Sequence, residues 1–511
     1  MNNLLTILTF SPVLGILILL LVPRDKAGVI KWVGILSTLL PLAIALFLYG
    51  NFDFTTDEMQ FQENYSWISI PFGTSPAGQP VFLSLDYQLG LDGLSLALVI
   101  LSTLISTMAA VAAMSITKRW KEFFILFLIN EIGMLGVFLS LNLFLFFVFF
   151  EVSLVAFFFL IAIWGYVDRE KAAMKFLIYN GVGSAIMLIA FVAIFMKLGT
   201  LEIAEITQYL TNPMSPVNAA DSPFYLDYGF RLALMISLLI AFGIKLPIFP
   251  VHTWMLRIYT DAHPAVVMIH SAVLLKIGAY GLIRFNAGFF PEVMSDLATF
   301  IAILGVINIL YGAVLAFVQK DLKMVLAYSS LSHMGIVLLG LAALNFAGLQ
   351  GAIFQTISHG LISALLMFVV GIIYERTQTS YIHELGGLAK SMPYISGILL
   401  TAAMANLGLP GLSGFISEFL AYLGLFGVMP VWATIGALGI ILTAAYMLRA
   451  VLRSTFGQMP ERWADLKDAQ PLEAIPMVVL IGFIVLIGVY PAVLSEPLQA
   501  TIQNIVLRIG G

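Results

Sequence analysis

Four ionisable side chains stand in the middle of long apolar segments. They are Glu151 in FFVFFEVSLVAFFF, Lys245 in LIAFGIKLPIFP, Lys276 in SAVLLKIGAYG and Glu418 in GLSGFISEFLAYLG. A lone charge at the centre of a membrane helix costs roughly 2.5 to 3.5 kcal/mol on insertion scales, so four unpaired charges would cost on the order of 10 kcal/mol. We therefore expect these groups to be paired, hydrated or neutral, and intramembrane groups of this kind commonly mark proton or ion pathways.

A buried lysine and a nearby glutamate can exchange a proton by changing their separation. Burial favours the neutral form of the lysine, whereas an approaching carboxylate favours the charged form. We predict that Glu151 and Lys245 form such a switch and that Lys276 is the central relay. Simpler interpretations stay open, because a lysine can extend its stem to the membrane interface and each glutamate can form a fixed ion pair.

Histidines and one further glutamate are secondary candidates. His333 stands among serines in AYSSLSHMGIVL, where a neutral imidazole can both give and take a proton, and it joins the predicted path beside Glu418. A structural, hydrogen-bonded role is the alternative for His333. The secondary candidates are the remaining intramembrane groups, namely Glu131, His252, His270 and His359. The histidines lack carboxylates at metal-ligand spacing, so no metal site is expected.

These groups must be held by a structure that lies in lipid. The chain has 511 residues, of which 61% are hydrophobic and 10% are charged, and its mean hydropathy is +1.02. Such a composition lacks the polar surface of a soluble globule. The net charge of -4 offers no basic face to nucleic acid, and the absence of cysteine excludes disulfides and cysteine-ligated clusters. We expect no cofactor on this chain.

Apolar stretches of membrane-spanning length predict an all-α integral membrane protein. The first stretch has no basic region before it, so it is predicted to be a membrane helix that is kept and not a cleaved signal. About fourteen spans are predicted, at about 3–22, 29–49, 89–116, 122–140, 142–166, 172–196, 229–253, 264–285, 297–318, 322–342, 348–374, 393–423, 428–453 and 472–491. Segments near 201–211 and 380–390 are predicted to be amphipathic turns at the interface.

The distribution of basic residues predicts the orientation in the membrane. With both termini on the outer side of the cell membrane, eighteen of the 24 Lys and Arg residues fall in cytoplasmic connections. This arrangement obeys the positive-inside rule for a multi-pass protein. The loop from Gly50 to Gln88 carries five acidic residues and no basic one, which agrees with an external position.

An internal repeat indicates a transporter-like architecture. The stretch at 174–188 resembles that at 323–339, and each is followed by a span that a Leu-Pro pair interrupts, at Pro247 and at Pro410. Paired broken spans are typical of inverted-repeat transporters, although two unrelated proline kinks are the alternative. The predicted divisions are an N-terminal region at 1–121, repeats at 122–285 and 286–455, and a C-terminal region at 456–511.

The motifs around these groups resemble one family along nearly the whole chain. The segments FLFFVFFEVSLV, FGIKLPIFPVHTW, LLKIGAYGLIRF, QKDLKMVLAYSSLSHMG and LGLPGLSGFISEF are similar to the antiporter-like subunits of NADH-quinone oxidoreductase (complex I). Within that family the chain is most similar to the subunit M group, because Glu418 stands where subunits L and N carry lysine. The chain also stops soon after its last span, without the lateral helix of subunit L.

The resemblance implies fourteen core helices with two inverted five-helix repeats. It also implies a proton path through Glu151, Lys245, Lys276, His333 and Glu418, driven by quinone reduction in partner membrane subunits, and hence a role as one subunit of a proton-translocating oxidoreductase. An Mrp-type cation/proton antiporter subunit shares the same pattern and is the alternative. A mainly structural subunit with fixed ion pairs is the third possibility.

One stretch departs from the family pattern. Most members follow His-x-Trp with Leu-Pro-Asp-Ala-His and a later Ala-Pro, whereas this chain reads HTWMLRIYTDAHPAVVMIHSAVLLK from His252 to Lys276. His270 also stands where the family usually has an apolar residue. It precedes Lys276 by six residues, so a direct partnership would need a helix break or water between the two.

Overall fold

The computed structural model describes residues 3–74, 80–222 and 224–509. Residues 75–79 of the predicted external loop and the last two residues of the predicted C-terminal region lie outside the described residues. Within the described part, thirteen helices are long and apolar enough to cross a membrane. The predicted all-α membrane fold is therefore confirmed.

The N-terminal part contains six of these helices. Each apolar run is helical because a helix satisfies its own backbone hydrogen bonds in lipid. They are α1 (Leu4–Leu21), α2 (Ala27–Gly50), α3 (Gly93–Ala112, with a 3-10 turn at Ala113–Ser115), α4 (Trp120–Leu139), α5 (Leu143–Trp164) and α6 (Arg169–Leu198).

The middle of the chain contains shorter and interrupted helices. These are α7 (Ile203–Thr211), α8 (Tyr228–Lys245), α9 (Thr253–Asp261), α10 (Pro264–Ile269), α11 (Leu275–Gly281), α12 (Pro291–Asp296) and α13 (Ala298–Val318). A π-helical segment, His270–Leu274, joins α10 to α11, and a second one, Leu282–Ala287, continues from α11. Together they form one buried span that carries Lys276.

The C-terminal part completes the bundle. It consists of α14 (Leu322–Ala342), α15 (Phe346–Thr377), α16 (Pro393–Asn406), α17 (Ser413–Val428), α18 (Pro430–Thr455), a 3-10 turn at Glu461–Trp463, α19 (Pro471–Val489) and α20 (Ala492–Ile509). The predicted span at 393–423 corresponds to α16 and α17 together, each of which is too short to cross a membrane alone.

Both predicted proline-broken spans are interrupted in the structure. The helix in the predicted span at 229–253 ends at Lys245, before the proline, and the chain becomes helical again only at α9. Asn308 of α13 satisfies the exposed backbone of this break, since it accepts from Phe249 N at 2.7 Å and donates to Pro247 O at 3.3 Å. A non-helical backbone at membrane depth needs such protein partners.

The second break lies between α16 and α17. Gly408 and Gly411 adopt φ angles of +77° and +91°, a left-handed conformation that glycine reaches without a steric penalty. The chain therefore turns sharply at this point and places the start of α17, with Ser413 and Glu418, beside α15. Gly408 lies close to the Glu418 carboxylate, because a Cβ at Gly408 would be 3.0 Å from Glu418 Oε2.

The acidic external loop contains a β-hairpin that the sequence analysis missed. Strand β1 (Gln60–Thr74) pairs antiparallel with β2 (Pro80–Leu91), with Tyr65 opposite Tyr87. Glu63 is buried and accepts a hydrogen bond from Leu5 N at 2.7 Å at the start of α1, where a carboxylate stabilises the helix dipole. One acidic residue of the loop thus holds the hairpin against the bundle.

Helix α20 is a further element that the sequence analysis did not predict. It is amphipathic and packs on α3, where Gly93 N donates to Thr501 Oγ1 at 3.2 Å. A side chain at Gly93 would collide with Pro497 O, since a Cβ there would lie 1.8 Å from that atom. The predicted interfacial turn at 201–211 is likewise a helix, α7.

A buried ion pair joins the N-cap of α3 to the central span. Arg284 Nη1 lies 2.7 Å from Asp92 Oδ2, and the two side chains are 12% and 4% exposed. Burial alone would raise the pKa of Asp92, but Arg284 and hydrogen bonds from Ser95 hold that pKa below its ordinary value. The stabilising contribution of Asp92 is therefore present at neutral pH and is lost as the pH falls through the folded-state pKa.

We expect Asp92→Asn to destabilise the protein by about 3–5 kcal/mol, because the Arg284 charge would stay buried without its partner. The thermal unfolding midpoint of the detergent-solubilised protein measures this effect. The double variant Asp92→Asn/Arg284→Gln should recover much of the loss, since it removes both charges. A double variant no more stable than Asp92→Asn would contradict this explanation.

Candidate functional site

A row of polar contacts crosses the centre of the bundle from Lys276 to Glu418. Lys276 is fully buried, and its Nζ lies 2.7 Å from His359 Nδ1 and 2.7 Å from Ser271 O. The rings of His359 and His333 are 5.4 Å apart between centroids. His333 Nδ1 then lies 3.4 Å from Glu418 Oε1. Three of the five residues predicted for the path are thus linked through His359.

Helix packing explains why these side chains meet. His333 lies on α14, His359 on α15 and Glu418 on α17, and each of these helices packs extensively on the other two. The break before α17 brings Glu418 to the level of His333. A small cavity lies between the three groups.

Hydrogen bonds fix part of the orientation of His333. Gln355, one turn before His359 on α15, lies 3.1 Å from His333 Nδ1 through its Nε2, and Ser417 donates to the amide oxygen of Gln355. His333 Nε2 has no hydrogen-bond partner among the described residues. The imidazole is therefore held on one side and has a free nitrogen for proton exchange on the other.

Lys245 is buried at the end of α8, directly before the first break. Its Nζ lies 4.8 Å from the ring centroid of Phe150 and 5.5 Å from that of Phe176, so aromatic faces stabilise the ammonium. Glu151, next to Phe150 on α5, is half-buried and acts electrostatically on Lys245. No direct ion pair joins Glu151 and Lys245 in the described part of the chain. Glu151 and Lys245 therefore interact electrostatically without an ion pair among the described residues, and their role as a switch stays a prediction.

Three secondary candidates, His252, His270 and Glu131, are buried polar side chains. Both ring nitrogens of His270 and of His252, and both carboxylate oxygens of Glu131, make no hydrogen bond within the described residues. His270 stacks on Phe157 with centroids 5.7 Å apart and contacts Trp254 edge-on. These three candidates are not brought into the row from Lys276 to Glu418. The fourth secondary candidate, His359 of α15, is a member of that row.

The sequence analysis missed a buried lysine at the start of α14. The predicted topology places Lys323 in a cytoplasmic connection, but it is 3% exposed and its Nζ lies 3.5 Å from the ring centroid of Tyr374 and 4.5 Å from that of Tyr166. The available signal was that residue 323 lies inside the predicted span at 322–342. A second missed residue is Tyr259, which is fully buried on α9.

The family model described as the transmembrane part of NADH:quinone oxidoreductase and the Mrp antiporter matches residues 140–443, more than half of the chain. The chain belongs to this family. All five residues of the predicted path lie within the matched region.

Curated relatives match nearly the whole chain. The chain is 37% identical to NADH-quinone oxidoreductase subunit M of Rhodobacter capsulatus, over 99% of this chain and 97% of that protein. It is 39% identical to NAD(P)H-quinone oxidoreductase chain 4 1 of a Picosynechococcus strain, over 94% of this chain and 87% of the relative. The predicted similarity to the subunit M group is confirmed.

Solved structures have the same fold as this chain. A chain of respiratory complex I from Thermus thermophilus superposes with a TM-score of 0.83 at 27% identity, covering 99% of this chain and all of that one. A chain of the Mrp complex from Dietzia also reaches a TM-score of 0.83, at 22% identity and with full coverage of both chains. The Mrp likeness shows the fold alone.

These similarities concern the family and the fold, not the roles of individual residues. The roles of Glu151, Lys245, Lys276, His333 and Glu418 stay predictions, as do the repeat boundaries and the absence of a cofactor.

The departure from the family pattern after His252 has a structural outcome. The altered stretch forms the regular helix α9, which ends at Asp261, and Pro264 then begins α10. A helix break therefore persists despite the altered linker.

Proposed function

We propose that this chain is the proton-translocating membrane subunit of a quinone oxidoreductase complex of the complex I type. Quinone reduction in partner subunits would drive proton movement through this chain. The observation that supports this function is the buried row from Lys276 to Glu418. Lys276 lies 2.7 Å from His359, the rings of His359 and His333 are in contact with centroids 5.4 Å apart, and His333 lies 3.4 Å from Glu418. Membership in the family and similarity to subunit M over nearly the whole chain support this function.

The groups of the row suit stepwise proton transfer. A neutral Lys276 amine can take a proton and pass it to His359 Nδ1, to which it lies at 2.7 Å. An imidazole that gains a proton on one nitrogen can release one from the other, so His359 and His333 transfer charge without leaving their sites. The Glu418 carboxylate is the final acceptor within this chain.

Glu151 and Lys245 would control the entry of charge into the row. When Glu151 approaches Lys245, the ammonium form is favoured, and when it withdraws, the buried amine releases its proton. Glu151 is half-buried, and among the described residues no closed ion pair holds it to Lys245, so its side chain is free to make this motion. A conformational change in a neighbouring subunit is the proposed cause of the motion.

The proposal includes a location in the membrane and a set of partners. The chain would lie in the cell membrane with both termini on the outer side, bound to lipid and to the other membrane subunits of the complex. It would hold no cofactor, metal or nucleic acid. Electron transfer would occur on partner chains.

An Mrp-type cation/proton antiporter subunit is the alternative, supported by the shared fold. Proton pumping by the complete complex reconstituted into sealed vesicles separates the two functions. We expect quinone reduction to acidify the vesicle lumen at an unchanged rate when sodium is removed. Cation/proton exchange without any quinone reductase activity in the purified assembly would overturn the proposal in favour of the antiporter.

We expect Glu418→Lys to retain more proton pumping than Glu418→Ala, because lysine keeps a titratable group beside His333 whereas alanine removes it. The initial rate of vesicle acidification, normalised to assembled complex, measures the difference. Glu58→Ala is the matched control, because Glu58 is an exposed carboxylate on the external loop. Equal losses in both Glu418 variants would show that titration at this position is not required.

A further inference from the structure

Tyr259 is a buried hydroxyl group at the meeting point of α9, α14 and the central span, and the proposed path does not use it. It is fully buried, and its hydroxyl donates to Ser330 Oγ of α14 at 2.8 Å. The Ser271 side chain interacts with the same hydroxyl. The ring also packs edge-on against His270, with centroids 5.7 Å apart.

On one side, Tyr259 is connected to Lys276 through a single residue, Ser271. Ser271 carries both the hydroxyl that faces Tyr259 and the carbonyl that accepts from Lys276 Nζ at 2.7 Å. Ser271 lies in the π-helical segment His270–Leu274, where the widened turn changes the direction of the side chains. A single residue thus separates the phenol from Lys276.

On the other side, Tyr259 contacts Ser330 of α14, the helix that begins at the Lys323 cluster. Lys323 precedes Ser330 by seven residues, or about two turns of α14, so both side chains lie on one face of that helix. Asp321, Asp261 and Glu375 surround Lys323 electrostatically. This charged cluster lies at the membrane end that the positive-inside rule predicts to be cytoplasmic.

We propose that Tyr259 is a proton-relay residue that connects the Lys323 cluster to Lys276. This inference rests on the proposed function and adds a route by which Lys276 regains a proton from the cytoplasmic side. In this route the phenol first turns its O–H from Ser330 to Ser271 Oγ. Ser330 then passes a proton to the Tyr259 oxygen, the phenol gives its own proton to Ser271 Oγ, and the Ser271 hydroxyl gives its proton to the neutral Lys276 amine. Each hydroxyl ends neutral, and rotation of the hydroxyls restores the starting hydrogen bond.

Tyr446 offers a matched comparison for the loss of such a hydroxyl. It is also fully buried, and its hydroxyl donates to Ser329 Oγ at 2.8 Å, one residue from the Tyr259 partner. No contact within the described residues joins Tyr446 to Ser271 or Lys276. A purely structural role would make the two tyrosines equivalent, whereas a relay role sets Tyr259 apart.

The test replaces each tyrosine by phenylalanine in the full complex, reconstituted into sealed vesicles. We expect Tyr259→Phe to slow proton translocation about 10²-fold or more, the order lost with a proton-transfer group. Tyr446→Phe should stay close to the parent rate. Tyr259→His should regain much of the rate, because an imidazole also gives and takes a proton, and this variant decides the outcome if Tyr259→Phe does not assemble.

Two results would overturn the relay. Parent-like pumping by assembled Tyr259→Phe would show that the hydroxyl is dispensable, and equal losses in Tyr259→Phe and Tyr446→Phe would show a structural role. The proposed function is tested separately by Glu151→Gln and Lys276→Met. If those variants lose pumping while Tyr259→Phe retains it, only the relay is rejected.

Discussion

Replacing Lys276 by methionine is expected to abolish most proton translocation while the complex still assembles. Methionine has a similar length and no titratable group, so the row would lose the amine that lies 2.7 Å from His359. We expect a fall of about 10²-fold or more, in line with the removal of a proton-transfer group. Vesicle acidification during quinone reduction measures the effect.

The fold should tolerate this change better than the activity does. Lys276→Met leaves Ser271 O and His359 Nδ1 without their donor, a loss of about 1–3 kcal/mol, but it also removes a buried amine. Lys197→Met is the matched control, because Lys197 lies exposed at the end of α6 and outside the row. Normal pumping by assembled Lys276→Met would reject Lys276 as the central relay.

Glu151→Gln and Lys245→Met are expected to remove most of the quinone reduction that is coupled to pumping. Glutamine keeps the shape of Glu151 but cannot carry its charge, and methionine removes the ammonium that Phe150 and Phe176 surround. Without the Glu151 charge, nothing raises the proton affinity of Lys245 when the two side chains approach. Without the Lys245 amine, there is no group at this position to take up or release the proton. We again expect a decrease of about 10²-fold.

The measurement compares both variants with Glu122→Gln in the same assembled complex. Glu122 is a carboxylate in the first turn of α4, paired with Arg24 at 3.5 Å, and no contact among the described residues joins it to Lys245. Complete assembly can be verified by native gel electrophoresis before pumping is measured. Parent-like translocation in Glu151→Gln or Lys245→Met would contradict the switch.

The central candidates could be found in the sequence because the cost of a charge in lipid is a property of its local segment. Glu151, Lys245, Lys276 and Glu418 each stand alone among apolar residues, and any such residue needs an explanation. Lys323 was missed for the same reason. It lies in the first turn of its helix, beside other charged residues, where local sequence favours a loop position.

The breaks in the spans could also be anticipated, since proline and glycine act on the backbone where they stand. Their exact ends could not, because the end of α8 depends on Asn308 of α13 and on Trp254, which donates to Ile244 O at 3.0 Å. The hairpin of β1 and β2 was missed because its acidic residues resembled a solvated loop. The role of Glu63 as a cap for α1 depends on a partner 58 residues away.

By itself, the sequence determined that this protein is a many-spanning helical membrane protein and which ionisable groups it buries there, because these properties follow from local hydropathy and charge. Only the tertiary structure decided which of those groups meet. His359 was a secondary candidate, yet it joins Lys276 to His333, while His270 and Glu131 stay outside the row. Contacts between α14, α15 and α17 select these neighbours, because helix packing brings together residues that are tens of positions apart.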